Sequence, residues 1–92
     1  MTFAEYVKIR QEKFGAVIFE TLKEKIFVTN KTGKAILNLL NQGYSLDKII
    51  ANLTDNYEAD MAEIIKNDVV TFINQLKDNN ILLNDSSNPI TQ

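Results

Sequence analysis

The first third of the chain alternates between apolar and polar residues, as strands with one buried face do. The alternation predicts a first strand over residues 3–10, in which Val7 and Ile9 share one face. Two further strands are predicted over residues 15–20 and 25–29, and polar turns separate the three segments. This order of strands and short turns predicts a three-stranded antiparallel meander.

The second and third predicted strands are apolar on both faces. The residues concerned are Ala16, Val17, Ile18, Phe19, Ile26, Phe27 and Val28. A small sheet with one face in water would not need that pattern. We therefore expect one face to cover the helices and the other face to meet something other than solvent.

Three helices are predicted after the strands. Their ranges are 31–41, 46–54 and 59–77. Asn30 and Ser45 precede the first two helices, where their side chains can accept bonds from amides that lack a partner inside the helix. Gly33 lies in the first turn of the first helix, where glycine is costly unless close packing requires it. Gly43 suits the left-handed residue that ends a helix.

The third predicted helix carries a buried stripe with spacings of four and three. The stripe consists of Met61, Ile65, Val69, Phe72 and Leu76. Val70 and Ile73 are apolar residues that lie outside it. Asn79 and Asn80 can adopt positive φ and stop the helix, after which residues 81–83 return as a short extended segment.

These elements predict an α+β fold, with an N-terminal three-stranded antiparallel sheet followed by a three-helix unit that resembles a winged helix-turn-helix. At 92 residues the chain has room for one modest core. We expect a single domain over residues 1–84 and a flexible C-terminal tail over residues 85–92, which is polar and holds the only proline.

Composition argues against catalysis. The chain contains neither cysteine nor histidine, so thiol nucleophiles are excluded, and zinc or iron sites are not expected. We expect no catalytic residue, no metal and no cofactor. No apolar run approaches the ~20 residues that span a bilayer, and the N-terminus does not resemble a signal peptide. We therefore expect a cytoplasmic protein without a membrane partner.

Charge argues against nucleic-acid binding, although three helices with a strand resemble a winged helix. The net charge is −2, whereas nucleic-acid binders usually carry a basic footprint. Residues 58–78 carry five acids and only two lysines, Lys66 and Lys77. That surface would repel phosphate, so we expect no nucleic-acid partner and keep a winged-helix transcriptional regulator as the first alternative.

Peptide binding has positive support in the third strand. An apolar strand at a sheet edge is a liability unless it is covered or used. An extended peptide can add to such an edge as another strand, with its side chains entering pockets between strand and helix. Val70 and Ile73, with Lys66 and Lys77, would line one wall. The residues alone leave open that these positions are ordinary core.

Motifs over about residues 7–83 match a known family in order and spacing. They are Val7-Lys8-Ile9-Arg10, Gly15-Ala16-Val17-Ile18-Phe19, Thr29-Asn30-Lys31-Thr32-Gly33, Ile36 to Leu40, Gly43 with Ser45, Ile49-Ile50, Leu53, Tyr57, Asp68-Val69, Phe72-Ile73, Leu76 and Ile81-Leu82. This set resembles the PqqD-like proteins, also called RiPP recognition elements, which bind the leader of a ribosomally made precursor peptide. The chain departs from the family pattern at Thr29, where leucine is usual, and at Asn80, where glycine is usual.

The resemblance implies a function and a site. It implies a non-catalytic adaptor that captures a leader by β-strand addition and presents it to a modifying enzyme, either a radical SAM maturase or a lasso-peptide leader protease. It places the groove between the third strand and the third helix. The implied peptide-binding residues are Ile26, Phe27, Val28, Thr29, Lys66, Val70, Ile73 and Lys77.

The resemblance also admits a homodimer or a strand-swapped dimer. A dimerisation module without a peptide ligand therefore stays as the second alternative. For the groove, we expect Val28→Asp or Ile73→Asp to abolish leader binding while the helical circular-dichroism signal persists.

Overall fold

The computed structural model describes residues 1–83, and the expected tail at 85–92 lies outside that range. The described part contains five strands and three helices. In chain order they are β1 (Thr2–Phe3), β2 (Val7–Glu12), β3 (Gly15–Glu20), β4 (Lys25–Asn30), α1 (Lys31–Asn41), α2 (Leu46–Thr54), α3 (Ala59–Asp78) and β5 (Leu82–Leu83). The α+β class and all three helices are therefore confirmed, with α3 one residue longer than predicted.

The main sheet has three antiparallel strands in the order β2-β3-β4. Ile18 of the central strand stands opposite Ile9 on one side and Phe27 on the other. This pairing confirms the meander. It leaves β2 and β4 as the two edges of the sheet.

The prediction of one continuous first strand over residues 3–10 is wrong. The chain turns after Ala4, where the Val7 N–H donates to the Ala4 carbonyl at 3.1 Å, and the Ala4 N–H donates to the Ile81 carbonyl at 3.0 Å. Ala4 is buried, so the turn brings the N-terminus onto the end of the described chain rather than along the sheet. β1 and β5 consequently form a second, two-stranded antiparallel sheet, which the sequence pattern did not reveal.

The core lies between the inner face of the main sheet and the helices. Its buried residues are Ala16, Ile18, Ile36, Leu37, Leu40, Ile49, Val69, Ile73, Leu76, Ile81 and Leu82. Ile73 is only 1% exposed, so the prediction that it lies outside the buried stripe is wrong. The true stripe of α3 includes Val69, Ile73 and Leu76 at spacings of four and three, while Met61 at the helix start is exposed.

The strand-to-helix junction is built as the sequence predicted. The Asn30 side chain accepts a hydrogen bond from the Gly33 N–H at 2.9 Å and caps α1. A Cβ at Gly33 would collide with the side chain of Thr29, so the close packing that justifies this glycine is present. The same junction fixes the end of β4 against the first turn of α1.

The helix ends also follow the sequence signals. The Ser45 side chain accepts from the Lys48 N–H at 3.3 Å and caps α2. Gly43 has φ of 89° and Asn80 has φ of 60°, as expected for residues that terminate helices. Within residues 1–83, every helix is too short or too polar to span a lipid bilayer.

Candidate functional site: the groove between β4 and α3

The hydrogen-bonding pattern of the main sheet determines which backbone groups β4 leaves unpaired. Continued by one residue beyond Val7 and Glu20, the register places Tyr6 opposite Thr21, and the Thr21 N–H donates to the Tyr6 carbonyl at 3.0 Å. Opposed residues in antiparallel strands alternate between pairs that exchange hydrogen bonds and pairs that do not. Val17 and Phe19 therefore direct their backbone groups toward β2, and Ile18 directs its groups toward β4.

The alternation continues onto β4. Ile18 stands opposite Phe27 and Ala16 opposite Thr29, so Phe27 and Thr29 bond to the central strand. The N–H and C=O groups of Ile26 and Val28 consequently point away from the sheet. Within residues 1–83, no side chain hydrogen-bonds to the backbone of β4 between residues 26 and 29. The edge therefore offers two donors and two acceptors to an incoming strand.

Side chains of β4 divide between the two faces of the sheet. Phe27 and Thr29 point inward and are half-buried. Ile26 and Val28 point outward and are 64% and 68% exposed, which is high for apolar residues. The inner face of β4 is therefore partly covered, as expected, and the expectation that its outer face meets something other than solvent stays a prediction.

Two adjoining cavities separate β4 from α3, and we call them together the strand–helix groove. The larger cavity has a volume of about 420 Å³ and is lined by Val28, Thr29, Asn30, Thr32, Gly33, Ile36, Asp68, Thr71, Phe72 and Gln75. The smaller has about 300 Å³ and is lined by Ile18, Phe27, Val28, Thr29, Phe72, Gln75, Leu76, Asn79 and Ile81. Phe72 and Gln75 contribute to both cavities, so they mark the middle of the helix wall.

The groove brings together most of the predicted strand wall. Phe27, Val28 and Thr29 line it, and Ile26 continues the same free edge on the outer face. The assignment of these four residues to peptide binding stays a prediction.

The predicted helix wall lies elsewhere on α3. Ile73 is in the core, Val70 and Lys77 are half-buried, and Lys66 is exposed. None of the four is among the residues that line the two cavities. The helix residues that do line them, together with the residue that follows α3, are Asp68, Thr71, Phe72, Gln75, Leu76 and Asn79.

A helical spacing signal for this wall was present in the sequence. Asp68, Phe72, Gln75 and Asn79 recur at intervals of four, three and four, which is the period of one helix face. This face is largely polar, whereas the sequence prediction relied on apolar residues. The groove borders the core stripe on its polar side, so apolar character alone could not locate it.

The groove contains few groups suited to catalysis. Asp68 is its only ionisable lining residue within the described chain. Among residues 1–83, no three histidine, cysteine, aspartate or glutamate side chains come close enough to hold a metal ion. The arrangement can supply backbone hydrogen bonds, apolar contacts and one carboxylate, which are the means of binding an extended chain.

The chain belongs to the family of coenzyme PQQ synthesis protein D (PqqD), whose model matches residues 15–82. This match confirms the resemblance inferred from the sequence. No curated protein matches the chain. The fold is shared with two solved structures whose sequences are only distantly similar.

One of these structures is TbiB1 in complex with the TbiA(beta) leader peptide. It is 20% identical, with a TM-score of 0.78, and the match covers 89% of this chain and 94% of that chain. The other is lasso peptide synthetase B1 complexed with the leader peptide. It is 22% identical, with a TM-score of 0.76, and the match covers 89% of this chain and 95% of that chain.

Proposed function

We propose that this protein is a non-catalytic adaptor that binds the leader of a ribosomally synthesised precursor peptide as an additional strand on β4. It then presents the peptide to a modifying enzyme, such as a radical SAM maturase or a leader protease. The observation that carries the proposal is the free edge of β4 beside an open groove. The leader peptides bound by the two structural neighbours support it.

Strand addition accounts for features that a closed domain would not need. The outward-facing N–H and C=O groups of Ile26 and Val28 would pair with the leader backbone. Inward-facing leader side chains would enter the groove, and outward-facing ones would cover the exposed Ile26 and Val28 side chains. We include Phe27 and Thr29 in the binding site, and we place its helix wall at Asp68, Thr71, Phe72 and Gln75 rather than at the four positions inferred from the sequence.

The other candidate functions gain less from the structure. A winged-helix regulator would present a basic helix to DNA, but α3 carries the acids Asp60, Glu63, Asp68 and Asp78 against two lysines. A dimer formed through β4 would use the same edge as the leader. We therefore treat a second copy of this chain as a competitor of the leader for the β4 edge. We also propose a cytoplasmic location, which follows from the adaptor role.

Proline substitution tests whether the free backbone edge of β4 takes part in leader binding. Val28→Pro removes an N–H that faces away from the sheet, and edge strands tolerate proline at such positions. Gln11→Pro is the matched control because the N–H of Gln11 faces outward from the opposite edge. The probe is a fluorescent linear peptide enriched against the wild-type protein from a random peptide display library.

We expect Val28→Pro to remain folded and to weaken leader binding by at least about tenfold, since it removes a backbone hydrogen bond and disturbs its neighbours. Gln11→Pro should bind like the wild type. Fluorescence anisotropy measures the affinity, and circular dichroism verifies the fold. Equal binding by wild type and Val28→Pro would overturn the proposal.

A further inference from the structure

Strand addition predicts which leader residues enter which cavity, an inference that rests on the proposed function. In a strand added antiparallel to β4, residues opposite Ile26 and Val28 would share their outward direction, and residues opposite Phe27 and Thr29 would point inward. The inward positions are two residues apart. Phe27 lines only the smaller cavity, whereas Thr29 lines both cavities. Of the two inward positions, only the one beside Thr29 therefore adjoins the larger cavity.

The two cavities differ in chemistry. The smaller is bounded mainly by the apolar side chains of Ile18, Phe27, Phe72, Leu76 and Ile81. The larger collects polar side chains, namely Asn30, Thr32, Asp68, Thr71 and Gln75. A leader that fills both must therefore alternate between an apolar inward residue and a polar one.

Asp68 gives the larger cavity its charge preference. Its carboxylate is exposed, and within residues 1–83 it has neither a hydrogen-bond partner nor an ion-pair partner. Asn30, which lines the same cavity, is already engaged, because its side chain accepts from the Gly33 N–H. The other acids of α3 add to a negative potential along this helix, which favours the approach of a cation.

We propose that the larger cavity is a subsite for a basic side chain, in which Asp68 pairs with a lysine or arginine of the leader two residues from the apolar residue that fills the smaller cavity. The bound strand would cover the pair and exclude part of the surrounding water. Lysine and arginine also carry long apolar stems, which suit a wall formed partly by Phe72 and Ile36.

A display selection tests this subsite without knowledge of the natural leader. Random linear peptides are selected against the wild type, Asp68→Asn and Glu63→Gln. Glu63 is the matched control because it is an exposed acid of the same helix that lines neither cavity. Wild type and Glu63→Gln should enrich peptides with a basic residue two positions from an apolar residue. Asp68→Asn should keep the apolar preference and lose the basic one.

Defined peptides then measure the pairing. Replacing the selected lysine or arginine by glutamine should weaken binding to the wild type by about three- to tenfold, as expected for a partly covered ion pair. The same replacement should change the affinity of the peptide for Asp68→Asn very little, because the carboxylate partner is already absent. Unfolding curves of both variants establish whether Asp68 also stabilises the nearby N-terminus of α1.

The outcomes for the subsite differ from those for strand addition. If the display selection enriches peptides with alternating apolar residues but without a basic residue at the expected position, the subsite is overturned and strand addition stays intact. The subsite is also overturned if Asp68→Asn unfolds more easily but keeps the basic preference, since Asp68 would then support α1 alone. Peptides that bind Val28→Pro as well as the wild type would overturn strand addition itself.

Discussion

The two edges of the main sheet are built in opposite ways. At the β2 edge, side-chain hydrogen bonds connect the strand to α1: the Lys34 ammonium donates to the Glu12 carbonyl at 2.9 Å, and the Gln11 amide donates to Asn38. Arg10 lies over the Phe19 ring, 5.5 Å from its centroid, and pairs with Glu12. This edge is charged and tied to a helix, even though a cavity of about 290 Å³ lies beneath it.

The β4 edge has none of these connections within the described chain. Its outer side chains, Ile26 and Val28, are apolar and exposed, and the groove separates it from α3. Charge and covering elements are the usual means of preventing edge-to-edge aggregation. One edge of this sheet is therefore protected and the other is kept accessible, which is the asymmetry that a strand-adding receptor requires.

The largest expected effect tests which face of α3 borders the groove. Ile73→Asp should lower the free energy of unfolding by more than about 3 kcal/mol, because it buries an unpaired carboxyl in the core. The expectation that the helical signal survives this substitution is therefore revised. Urea unfolding followed by circular dichroism measures the loss.

Thr71→Asp is the control for Ile73→Asp, since Thr71 is exposed and lines the larger cavity. It should change the free energy of unfolding by less than about 1 kcal/mol. A folded Ile73→Asp variant with a full helical signal would show that the core and groove faces of α3 have been interchanged.

The helical phase of α3 marks the limit of what the sequence could predict. Caps at Asn30 and Ser45, the meander and the edge position of β4 follow from local chemistry and pattern, and the structure confirms them. The β1–β5 pairing depends on contacts between segments far apart in the chain, which periodicity does not record. Ile73, which the sequence prediction placed on the groove wall, is a core residue, because apolar character alone does not separate the core face of α3 from the face beside the groove.

The second effect tests the alternation of backbone groups along β4. Thr29→Pro should lower the free energy of unfolding by about 2–3 kcal/mol, because the Ala16 carbonyl opposite it loses its donor. Val28→Pro, one residue earlier, should lower the free energy of unfolding much less. Thr29→Ala measures the loss of the side chain alone. Equal costs for the two prolines in urea unfolding would mean that the edge of β4 is assigned to the wrong residues.

The third-largest expected effect comes from weakening the protected edge at β2. Combining Gln11→Ala with Lys34→Ala should lower the free energy of unfolding by about 1 kcal/mol, since both bonds are partly exposed to water. Lys31→Ala is the control, because this lysine is an exposed residue on the same helix. Sedimentation velocity should also detect more self-association in the double variant. Unchanged stability and association would show that these side chains do not protect β2.

The smallest expected effect on stability comes from a substitution that gives the β4 edge the protection by charge that β2 already has. Val28→Lys places a charge on an outer side chain that is 68% exposed, so the free energy of unfolding should change by no more than about 0.5 kcal/mol. Self-association through β4 should fall, because an edge lysine opposes pairing with a second copy. Ile64→Lys is the control, since Ile64 is 55% exposed on α3 and lies outside the groove. If Ile64→Lys reduces self-association as much as Val28→Lys does, the accessible edge is not where copies of this chain meet.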